Sequence, residues 1–573
     1  MKYSGARILI ESLVEHGVDT VFGYPGGGVL FIYDELFKHK DRIRHILTSH
    51  EQHAAHAADG YARSTGKVGV CIATSGPGAT NLVTGIATAY MDSVPLVAIT
   101  GNVSTGLLGK DSFQEVDIAG ITMPITKHNW IVKDVRDLEE TLREAFLVAR
   151  SGRPGPVLVD IPKDITAALT DWQAPGERPL AGRTDTVLGA RAARLSERSQ
   201  RVQYAQKDID RAVELLQNAE RPFIYAGGGV IISEASAELI KLVDRLHAPI
   251  APSLMGMGCI PYNHPLATGM IGMHGTKASN TAAQKSDLII AIGARFSDRV
   301  ISKADSFAPN AKILHIDIDP AEIGKNIKSE YWIIGDIKQV LTAILERMQG
   351  KTRSIWNEDV EGWKKQVPLA HSREMPLHPR FIMEELRSQV GPDAIIATDV
   401  GQHQIWTAQF YPFTKPRSFL SSGGLGTMGF GMGASIGAKI ANPGRPVVLI
   451  TGDGSFRMNC GELATAANYK VPVLVVVVNN GVLGMVRQWQ NLFYEERYSE
   501  TNLDRPPDFI KLAYAYGLEG FRSQDEGSFS EALQSALACV ASGKAALVEA
   551  RIDMDQQVLP IVPGGKAIDE QLM

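Results

Sequence analysis

Two polar clusters towards the carboxyl-terminal end could bind a phosphate group and a metal ion. Gly452–Ser455 (GDGS) follows an apolar run, and Asn479-Asn480 follows after residues 455–478. The glycines let the backbone approach a diphosphate without Cβ clashes, and turn amides can donate to its oxygens. Mg²⁺ binds about six oxygens, so an aspartate, an asparagine amide and a main-chain carbonyl would suit it. Either cluster alone is more often a turn, but together they predict a magnesium and diphosphate site.

The elements around these clusters are expected to bring them to one edge of a sheet. Val447–Thr451 and Val471–Val478 are predicted strands, with a helix over Gly461–Tyr469 between them. Each cluster therefore follows the carboxyl end of a parallel strand, where doubly wound sheets bind their ligands.

The same alternation of strands and helices occurs in two earlier parts of the sequence. An apolar stripe from Ala6 to Val14 has helical spacing, and Gly17 is placed to end that helix. Further helices are predicted from Val29 and from about Glu51. The other predicted strands are Thr20–Gly23, His45–Thr48, Val68–Thr74, Pro95–Thr100, Phe223–Tyr225, Asp287–Ile292, Lys312–Ile316, Trp332–Ile334 and Ile395–Thr398. We predict an α/β protein with three doubly wound parallel-sheet domains.

Polar, irregular stretches separate the three predicted domains. We expect an amino-terminal domain at 1–170, a linker at 171–206, a central domain at 207–349, a linker at 350–377, a carboxyl-terminal domain at 378–555 and a tail at 556–573. A chain of 573 residues is too long for one hydrophobic core.

The composition is that of a soluble globular protein, with 44% hydrophobic and 21% charged residues. A net charge of −5 gives no reason to expect a nucleic-acid partner. The apolar run Pro472–Val478 is too short to cross a membrane. Four scattered cysteines without a CxxC pair argue against a disulfide framework or a zinc site and fit a reducing compartment. The first residues do not have the pattern of a secretory signal, so we expect a cytoplasmic protein.

The GDG and NN clusters, at this spacing and after strands, resemble the thiamine-diphosphate binding motif. The resemblance implies that Asp453 and Asn480 are side-chain ligands of Mg²⁺ and that Val482 supplies a carbonyl ligand. It also implies a pyrimidine-binding first domain, a central FAD-binding-like domain and a diphosphate-binding third domain.

A thiamine enzyme also needs a carboxyl group that hydrogen-bonds N1′ of the pyrimidine, so that the coenzyme's own imino group can take the C2 proton. Glu51, at the start of a predicted helix, is the candidate. The alternative is a glutamate that only interacts favourably with a helix amino terminus. The resemblance places Glu51 of one subunit against the diphosphate-binding domain of another, which implies a homodimer or homotetramer.

Several stretches resemble the catalytic subunits of acetohydroxyacid synthases (acetolactate synthases) in particular. They are Phe22–Gly27, Thr74–Asn81, Ala89–Pro95, Ser112–Glu115, Lys127–Asn129, Ser151–Pro156, Met273–Gly275, Val400–Gln404, Gly424–Gly429 and Gly484–Gln490. Thr74–Asn81 (TSGPGATN) occurs in many thiamine enzymes, whereas Gly484–Gln490 (GMVRQWQ) is far more specific. The chain departs from the family at Ser297, where Asp is usual, at Met432-Gly433 in place of Leu-Pro, and at Ser49 in place of Arg.

The family resemblance assigns roles to individual residues. Met428 would hold the coenzyme bent, Phe113 and Gln114 would flank the reacting carbon, and Lys127 would lie near the site entrance. Trp489 would shape the acceptor pocket and Arg299 would receive the acceptor carboxylate. Without the resemblance, a Met or Trp here would be taken for core and an Arg for a surface charge. The other residues expected around the coenzyme are Val400, Gly401, Gln402, His403, Gly426, Gly452, Gly454, Ser455 and Met485.

The central domain resembles the flavin site of the family. The matching positions are Arg153, Gly227, Gly228, Gly229, His274, Gly275, Thr276, Gly293, Ala294, Arg295, Asp317, Ile318, Asp319 and Asp336. Glycine turns after strands are general nucleotide-binding features, and spacing alone would fit ADP or an empty vestige equally well. The stretch Gly293–Arg299 (GARFSDR) is what suggests FAD, which would be structural because the reaction has no net redox change.

The resemblance implies decarboxylation of pyruvate on thiamine diphosphate and condensation of the hydroxyethyl carbanion/enamine with a second 2-keto acid. Pyruvate as acceptor would give 2-acetolactate, and 2-ketobutyrate would give 2-aceto-2-hydroxybutyrate, the first common step of branched-chain amino acid biosynthesis. The resemblance also implies a small regulatory subunit. The alternatives are an FAD-free catabolic acetolactate synthase, a pyruvate oxidase or decarboxylase, or a non-catalytic nucleotide-binding relative.

Overall fold

Three parallel β-sheets, each covered by helices, organise the part of the chain that the structure describes. The computed structural model describes residues 2–173, 204–366, 376–503, 505 and 507–573. The sheets contain six, five and six strands. The predicted α/β class with three doubly wound sheets is confirmed.

The first sheet is built within residues 2–171. Its region contains the strands β1 (Lys2–Ser4), β2 (Thr20–Gly23), β3 (Arg44–Leu47), β4 (Gly69–Ala73), β5 (Leu96–Asn102), β6 (Asn129–Ile131), β7 (Pro156–Pro162) and β8 (Leu169–Asp171). The helices are α1 (Gly5–Glu15), α2 (Leu30–Lys38), α3 (Glu51–Thr65), α4 (Pro77–Asn81), α5 (Val83–Met91), α6 (Ile118–Thr122), α7 (Leu138–Arg150) and α8 (Lys163–Ala167). The sheet order is β3-β2-β4-β5-β7-β6, and β1 pairs separately with β8 in antiparallel fashion.

The central sheet has the order β10-β9-β11-β12-β13. These strands are β9 (Pro222–Ala226), β10 (Ile250–Pro252), β11 (Leu288–Ile292), β12 (Lys312–Asp317) and β13 (Tyr331–Ile334). The helices of this region are α9 (Gln206–Asn218), α10 (Gly228–Ile232), α11 (Ser236–Leu246), α12 (Lys277–Lys285), α13 (Asp298–Ile301), α14 (Ile337–Arg347) and α15 (Ile355–Lys364).

The third sheet repeats the topology of the first. Its strands are β14 (Ile395–Thr398), β15 (Phe419–Leu420), β16 (Val447–Gly452), β17 (Leu474–Asn479), β18 (Glu519–Ser523) and β19 (Ala546–Arg551), in the order β15-β14-β16-β17-β19-β18. The helices are α16 (Pro379–Val390), α17 (Gln402–Phe410), α18 (Gly431–Ala441), α19 (Asp453–Phe456), α20 (Leu463–Asn468), α21 (Gly484–Phe493), α22 (Phe509–Ala515) and α23 (Glu526–Ala541). In both sheets the strand order reverses beside the first strand of the sheet, β2 or β14, which creates a crevice for ligands.

The central strands are apolar on both faces because both faces are covered. In β17, Val476 enters one buried cluster, whereas its neighbours Val475 and Val477 enter the cluster on the opposite face. This explains the uninterrupted valine run of this strand, which a sheet with one solvated face would not need. The strand begins at Leu474 rather than at the predicted Val471, because Pro472 has no amide hydrogen to donate to the ladder.

Helices α3 and α18 join the first and third domains through very close backbone contact. A Cβ atom on Gly60 would lie 2.1 Å from the carbonyl oxygen of Ala434, and one on Gly437 would lie 1.8 Å from that of Ala57. Gly433 is also constrained, although less tightly, since its Cβ would lie 2.8 Å from the carbonyl oxygen of His53. Glycine at these positions lets the two backbones touch, and α3 carries Glu51 at its first position.

Of the three segments predicted to lie outside the domains, two pack against the domain cores. The linker predicted at 171–206 lies mostly outside the described residues. The stretch 350–377, predicted to be irregular, contains α15, whose Trp356 and Val360 are buried in the central core. The tail also packs, because Val558 and Ile568 are buried in the third and central domains, respectively. Within the described ranges, no helix has the length and apolar character needed to span a membrane.

Candidate active site

Asp453 and Asn480 lie at the carboxyl ends of adjacent strands. Strands β16 and β17 pair in parallel, with Gly452 opposite Val478, so the residues that follow them meet at one edge. The buried carboxyl group of Asp453 faces the backbone amides of Gly454, Asn480 and Gly481. Burial is the larger influence and raises the pKa of Asp453 to about 6. Its Oδ2 atom has no hydrogen-bond partner among the described residues, so one oxygen is left for a cation.

Gln402 orients the amide of Asn480. Nδ2 of Asn480 donates to Oε1 of Gln402 at 3.1 Å, and Nε2 of Gln402 donates to Oε1 of Gln488 at 3.0 Å. A Cβ on Gly484 would lie 2.0 Å from Oε1 of Gln402, so a larger residue here would displace the amide group of Gln402. The amide of Val482 lies 3.3 Å from Oδ1 of Asn480. The three predicted metal ligands therefore lie on two neighbouring loops.

The predicted diphosphate glycines pack against the ring of His403. A Cβ on Gly452 would lie 2.9 Å from Nδ1 of His403, and one on Gly401 would lie 3.0 Å from its Cε1. Burial lowers the pKa of His403 to about 3, so the ring is neutral. Ser455 supports the opposite side of the site, because its hydroxyl accepts a 3.1 Å hydrogen bond from the amide of Gly429.

The loop that carries Met428 is held from the first domain. The hydroxyl groups of Thr427 and Thr88 lie 2.7 Å apart. The amides of Gly423 and Gly424 donate to Asp92 at 3.0 and 2.7 Å. Met428 itself is half-buried, so part of its side chain is available to a ligand.

Glu51 is held by neighbours from its own domain. Nδ2 of Asn81 donates to its Oε2 at 2.9 Å. Its Oε1 lies beside Gly78, where a Cβ would come within 3.2 Å of it and within 2.7 Å of Cγ2 of Thr74. Among the described residues, the hydrogen bonds of Glu51 do not reach the Asp453 loop.

Phe113, Gln114 and Lys127 lie in the first domain and have different environments. Phe113 is 88% exposed, and Gln114 has a φ of +60° beside Gly76. The ammonium group of Lys127 donates to the carbonyl oxygens of Val148 and Ser151 at the end of α7. Burial lowers the pKa of Lys127 to about 8.

One cleft of about 1360 Å³ brings together most of the other predicted site residues. Six of those predicted around the coenzyme and acceptor line it: Arg299, Val400, Gly401, Gly426, Met485 and Trp489. The residues from the predicted flavin set that line it are Arg153, Gly227, Gly228, Gly229, His274, Gly293, Ala294, Arg295, Asp317, Ile318 and Asp336. Gly275, Thr276 and Asp319 do not line it. Thr276 instead caps α12, where its hydroxyl accepts a 3.0 Å hydrogen bond from the amide of Ser279.

Arg299 and Trp489, the two residues predicted to bind the acceptor, both line the cleft. The side chain of Arg299 is 61% exposed, with Asp298 at 3.7 Å and the sulfur of Met273 at 3.6 Å. Nε1 of Trp489 is buried without a hydrogen-bond partner among the described residues. His274 is buried beside the arginine, and burial lowers its pKa to about 4. A positive charge is thus displayed next to a neutral, largely apolar wall.

The central-domain residues that line the cleft have the features of a nucleotide site. The backbones of Gly227 and Gly293 approach so closely that a Cβ on Gly227 would lie 2.0 Å from the oxygen of Gly293. Asp317 ends β12, and burial raises its pKa to about 6. A carboxyl group at the end of a strand beside a glycine turn suits ribose hydroxyls. Arg153 donates to Glu322 at 2.8 Å and to Asp319 at 3.2 Å.

Four residues that the sequence analysis did not assign support the site. Asn81 bonds to Glu51, and Asp92 accepts bonds from the amides of Gly423 and Gly424. Glu462 accepts bonds from the amides of Ser49 and His50, and Gln488 accepts one from Gln402. Asn81, Asp92 and Gln488 fall inside stretches that carried the family resemblance. Their position in these stretches could have indicated that these three polar residues support the site.

Comparison with known proteins identifies the family. Models of thiamine pyrophosphate (thiamine diphosphate) enzymes match residues 3–121 as the N-terminal TPP binding domain, 209–344 as the central domain and 399–550 as the C-terminal TPP binding domain. The chain is 48% identical over 580 residues to acetolactate synthase of Mycobacterium bovis, covering 99% of this chain and 91% of that protein. It is 47% identical over 579 residues to the acetolactate synthase large subunit of Corynebacterium glutamicum, covering 99% and 89%, and 46% identical over 576 residues to that of Parasynechococcus marenigrum, covering 98% and 90%. The chain therefore belongs to the acetolactate synthase large-subunit family of thiamine pyrophosphate enzymes.

Proposed function

We propose that the protein is an acetohydroxyacid synthase that decarboxylates pyruvate and joins the remaining two-carbon unit to a second 2-keto acid. Pyruvate as acceptor would give 2-acetolactate, and 2-ketobutyrate would give 2-aceto-2-hydroxybutyrate. The observation that carries this proposal is the cleft that holds Arg299 and Trp489 beside Gly401, Gly426 and Met485. An arginine and a flat aromatic side chain suit an acceptor with a carboxylate and a short alkyl chain.

Asp453 and the Asn480–Val482 loop fit a magnesium ion that carries a diphosphate. The unpartnered Oδ2 of Asp453 is buried, and a divalent cation would offset the loss of hydration that disfavours its charged form. We assign Asp453 and Asn480 as side-chain ligands and Val482 as the carbonyl ligand. The ligand set of about six oxygens would be completed by diphosphate and water.

Glu51 would hold a proton at the aminopyrimidine end of the coenzyme. When bound, thiamine diphosphate supplies a carbon nucleophile and an electron sink for loss of carbon dioxide. Asn81 occupies Oε2 of Glu51, which leaves Oε1 to share a proton with a ring nitrogen. Met428 lies between Thr427 and Gly429, which are hydrogen-bonded to Thr88 and Ser455. From this fixed position it would support the bent coenzyme.

Arg299 would bind the carboxylate of the acceptor keto acid. Its planar guanidinium group can make two parallel hydrogen bonds to a carboxylate, and its present contacts leave it exposed. Trp489 would pack against the alkyl end of the acceptor. Lys127 would shape the entrance through its bonds to the end of α7 rather than touch the substrate.

The other end of the cleft fits FAD. About 1360 Å³ exceeds the roughly 300–1,000 Å³ of an ordinary small-ligand pocket, so a dinucleotide and a substrate can share it. Asp317 would bind ribose hydroxyls, and Arg153 would contribute positive charge. The condensation has no net redox change, so the role of the flavin would be structural.

We infer that the active unit is at least a homodimer. Phe113 and Glu51 are assigned to the reaction centre, yet Phe113 is 88% exposed, and among the described residues Glu51 makes no hydrogen bond to the Asp453 loop. A second copy would cover Phe113 and bring Glu51 to the coenzyme. The name "large subunit" of two relatives supports a smaller regulatory partner.

Product analysis tests the proposed activity. The protein would be supplied with thiamine diphosphate, Mg²⁺ and FAD, and with equal amounts of pyruvate and 2-ketobutyrate. We expect both acetohydroxy acids, formed without oxygen consumption. Acetaldehyde or peroxide as the main product would indicate a decarboxylase or an oxidase instead. Binding of the coenzyme without turnover would indicate a non-catalytic relative.

A further inference from the structure

The turn Asp92-Ser93, which follows α5, contacts the loop that carries Met428. The side chain of Asp92 is fully buried. It accepts hydrogen bonds from the amides of Gly423 and Gly424 at 3.0 and 2.7 Å, and a third from Nη2 of Arg63 at 3.0 Å. One carboxylate from the first domain therefore fixes the start of a loop in the third domain.

The other residue of the turn contacts the predicted flavin end of the cleft. The hydroxyl of Ser93 accepts a 2.8 Å hydrogen bond from Nε of Arg153. The Nη1 atom of the same guanidinium group donates to Glu322 and Asp319 in the central domain. Ser93 has a φ of +61°, a left-handed conformation that is unfavourable for serine. The turn thus keeps a strained backbone from which Asp92 contacts the third domain directly and Ser93 contacts the central domain only through Arg153.

We propose that the Asp92-Ser93 turn is a positioning element that couples the flavin end of the cleft to the Met428 loop at the thiamine end. The proposal rests on the proposed function. A ligand that orders Arg153 would fix Ser93 and hence Asp92, which in turn would hold Gly423 and Gly424 in the arrangement that supports the coenzyme. This would give a structural flavin a definite effect on a reaction that does not use its redox chemistry.

Coupling of this kind has to be reciprocal. If bound FAD tightens thiamine diphosphate by a given factor, the coenzyme must tighten FAD by the same factor. We expect a factor of about 10, within the range of roughly 5- to 150-fold that is usual for coupled sites. Both ligands can be measured by binding alone, independently of turnover.

The test measures thiamine diphosphate binding in the presence of Mg²⁺, by calorimetry, with flavin-free and with FAD-saturated full-length protein. Asp92→Asn removes the charge that faces Arg63 and places an amide group against one of the two loop amides. Asp287→Asn is the matched control, because Asp287 also accepts bonds from two successive amides, those of Glu220 and Arg221, at 2.7 and 2.9 Å, and does not line the cleft. Thermal unfolding checks that each variant is folded.

We expect FAD to tighten the binding of thiamine diphosphate about tenfold in the wild type and in Asp287→Asn. In Asp92→Asn, FAD should no longer change this affinity. Ser93→Gly provides a second test, because glycine accepts the positive φ while the bond to Arg153 is lost; its coupling should also fall towards onefold. Equal coupling in all four proteins, or none in a wild type that binds both ligands, would overturn the proposal. A wild type that does not bind thiamine diphosphate would instead refute the proposed function.

Discussion

The carboxylate of Glu462, in the third domain, accepts a 2.9 Å hydrogen bond from the backbone amide of Ser49, in the first domain. It also accepts bonds from the amide of His50 at 3.1 Å and from the hydroxyl of Thr465 at 2.6 Å. The residue that follows His50 in the chain is Glu51, the first residue of α3. One buried carboxyl group therefore fixes the approach of the chain to the proposed proton-sharing residue.

The first prediction concerns the pH dependence of this contact. Burial raises the pKa of Glu462 from 4.5 to about 7. The folded protein therefore binds a proton at Glu462 more tightly than the unfolded chain does. Protonation of Glu462 stabilises the fold fully below pH 4.5, and this stabilisation is lost as the pH rises through 7. The full change amounts to about 3 kcal/mol. Glutamine does not titrate, so Glu462→Gln should gain stability relative to the wild type between pH 5 and pH 8.

Thermal unfolding of both proteins at pH 5 and pH 8 measures this effect. The difference between their melting temperatures should move by several degrees in favour of the variant at the higher pH. Glu519→Gln, at an exposed position, serves as the control and should follow the wild type. Parallel pH profiles for the wild type and Glu462→Gln would contradict the assignment.

The metal-site residues could be predicted from the sequence because their signal is local. Asp453 lies in a glycine turn directly after an apolar strand, and Asn480 directly follows another. Glu462 and Asp92 carry no such signal, because their partners are backbone amides 413 and 331 residues away in the chain. Every residue except proline has an amide, so the local sequence does not identify the partners of these carboxyl groups, although Asp92 lies in a stretch that carries the family resemblance.

The sequence of helix α15 contains a helical pattern of apolar residues, but its many charged residues favour a linker instead. Trp356, Val360 and Trp363 have helical spacing, and Ser354 stands at the position of an amino-terminal cap. The many charged residues around them favoured an irregular linker. Burial of Trp356 in the central core, where its Nε1 donates to the carbonyl oxygen of Pro222 at 3.0 Å, depends on distant residues that the local pattern does not reveal.

A second prediction concerns the contact between α3 and α18. A methyl group on Gly437 would overlap the carbonyl oxygen of Ala57, so Gly437→Ala should lower the free energy of unfolding by about 3 kcal/mol through forced separation of the helices. The higher helix propensity of alanine, about 1 kcal/mol, offsets only part of this. Gly444→Ala is the control, because a Cβ there meets open space. Urea unfolding measures both, and equal midpoints would show that the helices can part without strain.

A third prediction tests whether each active site combines two chains. Glu51→Gln and Asp453→Asn should each lower activity by about 100-fold or more, because one removes the shared proton and the other a metal ligand. When the two variants are coexpressed, a hybrid dimer would have one site with both residues intact. Random pairing should restore about a quarter of the wild-type activity.

The recovery in this experiment depends on the arrangement of the subunits. If Glu51 and Asp453 served the same site within one chain, every site in the mixture would carry a defect. Activity would then stay at the level of the single variants. Size-exclusion chromatography with light scattering would verify that both variants still associate.

The last prediction concerns the choice of acceptor. Trp489 lines the same cleft as Arg299, and its flat indole ring would contact the extra methylene that distinguishes 2-ketobutyrate from pyruvate. Trp489→Leu should therefore lower the preference for 2-ketobutyrate by about 10-fold, because a single methylene contact contributes about 1–3 kcal/mol. The carboxylate of either acceptor would still meet Arg299, so total acetohydroxy acid formation should fall much less than the preference. The ratio of the two products from equimolar substrates measures the effect, with Trp332→Leu, a half-exposed tryptophan outside the cleft, as the control. An unchanged ratio would mean that another side chain recognises the methylene, even if activity fell.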